Sequence, residues 1–111
     1  MNYVTKSIIF ENKEYTILIG RNRIGNEEII KMSHLDSIWL HFLDISGPHI
    51  IIQNCGDILL KKQLRMVALL LFEYKSSAPK NTSVIYCKVK DVKLTKTVGC
   101  VDTKNTKTLK F

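Results

Sequence analysis

No pair of cysteines in this 111-residue chain stands at CxxC spacing, and their number is odd: Cys55, Cys87 and Cys100. That argues against a disulfide framework and a zinc site, and suits a reducing compartment. Long apolar runs are missing as well. The longest, Met66 to Phe72, is far too short to span a bilayer, and Met1 to Lys6 lacks the apolar core of a signal peptide. The expectation is a cytoplasmic protein with no membrane partner. Neither an internal repeat nor a linker interrupts the chain, so residues 1–111 are expected to form a single domain around one modest core. Hydrophobic residues at 45% and charged residues at 24% are ordinary for a globular protein and argue against disorder.

Acidic groups are scarce in the second half. Residues 58–111 hold 3 of them against 12 basic groups, a net +9, whereas residues 1–57 hold 7 against 5, a net −2. A field this one-sided favours polyanions such as nucleic acid, or an acidic membrane face. The alternative is a lysine-rich surface that only keeps a small protein soluble.

What is present is concentrated between Ser37 and Ile52, which holds the only Trp and two of the three His. Two apolar runs flank Asp44-Ile45-Ser46-Gly47-Pro48, the composition of a chain reversal. As a hairpin, this stretch places Trp39 and His41 on one face and returns His49 close to His41. Before it, Ser7 to Phe10 and Tyr15 to Ile19 read as two strands joined at Glu11 to Glu14. Tyr15 to Ile19 is apolar at nearly every position, as in a strand covered on both faces. Asn26 is expected to cap a short helix ending near Met32 to His34. Gly56-Asp57 introduces a longer helix, roughly Ile58 to Tyr74, with Leu60, Leu64, Val67, Ala68 and Leu71 on one face.

Val84 to Lys90 alternates as a strand, with Ile85, Cys87 and Val89 on one side and Tyr86, Lys88 and Lys90 on the other. Lys93 to Thr97 reads as a basic connector. Val98 to Val101 and Thr108 to Phe111 read as the last two strands, around a turn at Asp102 to Asn105. The fold class expected is α+β: a mainly antiparallel sheet of about 6–7 strands packed against one long and one short helix.

Chemistry is harder to find. His41, His49 and Asp44 could serve a metal or an acid–base pair, but no HExxH or third ligand at a recognisable interval accompanies them. Ser46-Gly47 lacks the G-x-S-x-G of a nucleophile elbow, and Cys87 sits on the apolar side of its strand. The chain is therefore expected not to be an enzyme, with no catalytic residue, metal or cofactor. Binding is better supported. Gly20 to Asn26 sets two glycines, Arg21, Asn22 and Arg23 between a strand and a helix start, where amides and guanidinium groups can hold phosphate. It is not a Walker loop, and turns before helices are commonly rich in Gly and Asn. Tyr86, Lys88 and Lys90 combine an aromatic surface with two cations, as sheets that hold unstacked bases do, or form a solvated strand face.

The order of short motifs is more specific than any one of them. Tyr15 to Ile19 with Gly20-Arg21-Asn22, then Asn26-Glu27-Glu28, Trp39-Leu40-His41 and Gly47-Pro48-His49-Ile50, resembles the NFACT-R (NFACT RNA-binding) domain over about Tyr15 to Phe111. The helix ending in Lys75-Ser76, the strand Val84-Ile85-Tyr86 and the basic stretch leading to Gly99 continue the resemblance. The chain departs from the family's pattern at Leu40, where an aromatic is usual, and at Ser37, where Asp is usual. It departs again at Gly25 for Gln, at Pro48 for a small residue, and at 94–98, where proline is missing.

The resemblance implies a stand-alone RNA-binding module, RNA preferred over DNA, contacting tRNA or rRNA in translation or ribosome-associated quality control. An adaptor that docks on a ribosomal or quality-control protein is the alternative partner. The expected nucleic-acid-binding residues are Arg21, Asn22, Arg23, Asn26, Trp39, His41, His49, Tyr86, Lys88 and Lys90.

Overall fold

The first turn sets how the chain enters its sheet. Glu11 and Asn12 both take positive φ, 50° and 64°, the backbone of a tight two-residue hairpin turn. It joins β1 (Tyr3–Phe10) to β2 (Lys13–Gly20), with Phe10 opposite Lys13 and Tyr3 opposite Gly20. The computed structural model describes residues 1–111. β1 starts at Tyr3 rather than at Ser7, because the ladder runs the full length of β2.

The remaining elements are α1 (Arg23–Met32), β3 (Ile38–Phe42), β4 (Ile50–Gln53), α2 (Lys61–Tyr74), β5 (Val84–Lys88), β6 (Val92–Leu94), β7 (Val101–Thr103) and β8 (Lys107–Leu109). Six strands form one antiparallel sheet in the order β1-β2-β4-β3-β5-β8, and β6 pairs with β7 as a separate ribbon. The architecture is the expected α+β one, with one long and one short helix.

The sheet is covered on both faces because its central strands are apolar at successive positions. Tyr15, Ile17 and Ile19 point to the α2 side with Leu40, Phe42, Ile50 and Ile52, against Leu64, Val67, Ala68 and Leu71 of the helix. Leu18, Trp39, Ile51 and Cys87 point the other way, against Ile29 and Ile30 of α1, and the β6–β7 ribbon closes that side through Val92, Leu94 and Val101. Tyr15 to Ile19 thus behaves as its composition demands.

Four local expectations shift. α1 begins four residues earlier than expected: Asn22, not Asn26, accepts from the Gly25 N–H at 2.8 Å as its cap. α2 begins at Lys61, since Asn54 Nδ2 donates to the Asp57 carbonyl at 2.7 Å and holds Asn54 to Asp57 as a turn. β5 stops at Lys88, and Val89–Asp91 form a single 3-10 turn, so Lys90 lies off the strand. The basic connector contains β6, and the last strands are β7 and β8, which do not pair with each other: β7 pairs with β6 and β8 with β5.

Candidate nucleic-acid interface

The expected hairpin forms. β3 and β4 run antiparallel with Trp39 opposite Ile51 and Leu40 opposite Ile50, which brings His49 back beside His41. Trp39 is buried, at 1% exposure, and its Nε1 donates to His49 Nδ1 at 3.1 Å. The indole stacks on His41 at 5.7 Å between centroids, and His49 meets the two rings edge-on at 5.3 and 4.8 Å. Burial pulls His49 down to about 3, with a further push from neighbouring His41, and burial also lowers His41. Both rings are therefore neutral near pH 7. No third ligand-type side chain joins them as a metal-ligand set.

Asn26 locks the hairpin to α1. Its Oδ1 accepts from the His49 N–H at 3.0 Å, and the Gly20 N–H donates to the His49 carbonyl at 2.9 Å. A Cβ at Gly20 would lie 1.9 Å from Asn26 Oδ1, and one at Gly25 would lie 1.6 Å from the Asn2 carbonyl oxygen. These two glycines serve close approach of protein to protein. Asn22, which caps α1, also donates from Nδ2 to Asn2 Oδ1 at 3.0 Å, and the Arg21 N–H donates to the Asn2 carbonyl. Arg21 and Arg23 are left as exposed cations, and neither makes an ion pair.

Tyr86, Lys88 and Lys90 lie on the other side. Tyr86 packs with the α2-side core, so the pleat puts Lys88 on that side too. Backbone bonds from Val89 N to the Ser37 carbonyl and from Lys90 N to the Leu35 carbonyl carry the pairing past the strand end and fix Lys90. β8 sets Lys107 directly opposite Tyr86, and Lys104 N donates to the Asp91 carbonyl at 3.1 Å. Lys61 arrives from the start of α2. A groove of about 760 Å³ results, lined by these five lysines, Tyr86 and an apolar floor that includes Ile38 and Leu64.

Three aspartates enter the same groove, and two of them are engaged by lysine. Asp36 lies 3.6 Å from Lys88, and Asp57 pairs with Lys13, which together with the Tyr15 hydroxyl at 2.8 Å holds the Asp57 carboxyl below its usual value. Lys61, Lys90, Lys104 and Lys107 carry no such partner. Lys61, Lys104 and Lys107 escaped sequence reasoning. The +9 of the second half pointed to them only collectively.

The ten residues expected to bind nucleic acid thus divide between two surfaces. Arg23, Asn26, Trp39, His41 and His49 line a second groove of about 540 Å³ on the α1 side. Tyr86, Lys88 and Lys90 line the lysine groove, and Arg21 and Asn22 line neither. Residues Val101 to Lys107 cross between the two: Thr103 borders one groove and Lys104 the other.

The site thus comprises a lysine cleft at one edge of the sheet and a Trp–His hairpin on its opposite face. Comparison with known proteins gives the family. The NFACT protein RNA binding domain matches residues 2–105, and the chain belongs to that family. It is 36% identical over 81 residues to the Rqc2 homolog RqcH of Bacillus subtilis (strain 168), a stretch that makes up 70% of this chain and 14% of that protein. In structure it resembles the C-terminal part of the fibronectin/fibrinogen-binding protein of Streptococcus suis. The TM-score is 0.79 at 24% identity, over 96% of this chain and 43% of the other, a likeness of fold. No helix here is long and apolar enough to cross a membrane.

Proposed function

We propose that this protein binds RNA, without catalysing a reaction on it, and that the lysine groove is its main contact. The observation that carries this is the convergence of lysines from three stretches of chain, the start of α2, the end of β5 with the turn after it, and the loop into β8 with its first residue, around the one aromatic ring of that cleft. Side chains so spaced follow a phosphate backbone, and Tyr86 offers a face on which a base can stack. Membership of an RNA-binding-domain family supports RNA over a generic polyanion. The natural partner is then a structured RNA such as tRNA or rRNA, met in the cytoplasm at or near the ribosome, with residues 1–111 acting as one binding unit and no cofactor.

Salt titration tests it. With four unpaired lysines on phosphates, the logarithm of the binding constant should fall against the logarithm of salt with a slope of roughly −3. Fluorescence anisotropy of a labelled structured RNA at several salt concentrations reads that slope. Absent binding at low salt, or a slope near zero, overturns the proposal. A pull-down from nuclease-treated lysate separates it from a protein-docking role: partners that vanish with the RNA support it, and partners that persist contradict it.

A further inference from the structure

The groove on the α1 side is built differently from the lysine cleft. Its walls are largely apolar, with Ile45, Ile85 and Val98, and its volume of about 540 Å³ falls within the range of roughly 300–1,000 Å³ typical of small-ligand clefts. At its floor stands His49, only 3% exposed. Because Trp39 donates to Nδ1, the neutral ring carries its proton on Nε2, and no hydrogen bond within the protein engages that N–H. His49 lines the groove, so this N–H is free to donate to a group that enters it. Next to it is the His41 ring, partly exposed and backed by the indole.

Among the residues that line this space the cation is Arg23, whose guanidinium is unpaired, and Lys75 stands nearby beside Gly47. Gly99, at φ +81°, allows the close approach: a Cβ there would sit 2.8 Å from Arg23 Cβ. The combination of a ring to stack on, an N–H donor that the protein leaves free and a guanidinium suits a planar heterocycle that has acceptor atoms and carries a phosphate. A bare phosphate would leave the apolar walls unfilled.

We propose that this groove takes a single unstacked nucleotide of a single-stranded RNA segment, base against His41, a base acceptor on His49 Nε2, and phosphate on Arg23. This rests on the RNA-binding proposal above. Stacking on an aromatic ring is the usual way a protein holds a splayed-out base, and it tolerates sequence because every base has a face to offer. The RNA then touches both faces of the sheet, passing around the edge that Val101 to Lys107 crosses.

Trp39 is the only tryptophan and lies at the bottom of this groove, so its emission reports occupancy. Purified protein is titrated with a short single-stranded RNA, with the matching RNA duplex, and with adenosine monophosphate, while anisotropy of labelled RNA is followed in parallel. The single strand is expected to shift the emission at the concentrations where anisotropy rises, and the duplex to bind without shifting it. His41→Ala should weaken single-strand binding at least about fivefold and remove the shift. Arg23→Gln, which leaves the Trp–His contacts intact, should weaken it in the same direction and carries the test if His41→Ala unfolds.

RNA binding by anisotropy with an unchanged Trp39 overturns the groove assignment and leaves the RNA proposal standing. No RNA binding by either signal overturns both. A full emission shift with adenosine monophosphate at lower concentration than with the RNA overturns the RNA source in favour of a free nucleotide.

Discussion

His49 does two jobs with one ring. Its Nδ1 satisfies the only indole in the chain, and its backbone amide is tied to Asn26 in α1. Holding the ring neutral makes the fold sensitive to acid. The folded-state value of about 3 lies below the ordinary 6.5, so the unfolded chain takes up the proton first as pH falls. Stability is then complete above about pH 6.5 and is lost as pH falls towards 3, at about 1.4 kcal/mol per pH unit. Urea denaturation should show about 2 kcal/mol less stability at pH 5 than at pH 7. His49→Gln keeps an acceptor for Trp39, so the slope should shrink to the share left by His41. An unchanged slope contradicts the burial described.

The cysteines give a second check at this scale. Cys87 lies in the core beside Trp39, and burial pushes its thiol up to about 11, with Asp91 adding to the rise. Cys55 and Cys100 are exposed. A thiol reagent at pH 8 should label two groups quickly and the third only on unfolding. Three fast groups would mean that the α1-side core is open.

Among the elements, the joint between β2, α1 and the β3–β4 hairpin is the most tightly specified. Gly20→Ala puts a methyl group against Asn26 Oδ1 and within 2.8 Å of the Asn26 amide nitrogen, in the helix backbone. Overpacking of that kind should cost roughly 1–3 kcal/mol in urea denaturation, against a fraction of that at an open surface site. Leu71→Ala, which empties a fully buried position between α2 and the sheet, should cost about 2–5 kcal/mol by the same measurement. The hairpins could be read from the sequence because their signals are local: a short turn between two apolar runs. The cap of α1 was misplaced because Asn22 and Asn26 suit the role equally by type. What separates them is that Asn26 is needed by His49, 23 residues away. β6, β7 and β8 are three residues each, too short to carry a pattern, and their partners are set by tertiary packing.

For the whole molecule, the charge asymmetry of the sequence becomes a location. The sequence supplied Tyr86, Lys88 and Lys90 through their alternation, yet Lys104 and Lys107 join them only because β8 doubles back onto β5 and the 3-10 turn catches Lys104. Likewise Arg21 and Arg23 looked continuous with a phosphate-binding glycine loop. The fold instead fills the space beside Gly20 and Gly25 with protein and separates Arg23 from the lysine cleft by the thickness of the sheet. The family match covers residues 2–105, which hold Lys61, Lys88, Lys90 and Lys104, while Lys107 lies just beyond it.

The most direct test of the lysine groove replaces Lys90, Lys104 and Lys107 together by alanine and measures binding of several unrelated structured RNAs by anisotropy at fixed salt. These lysines are exposed, so the variant should keep its urea midpoint. It should weaken every RNA to a similar degree and reduce the magnitude of the salt slope by roughly 2–3 units. Unchanged affinity, or loss confined to one sequence, would contradict the claim that this groove holds the RNA backbone.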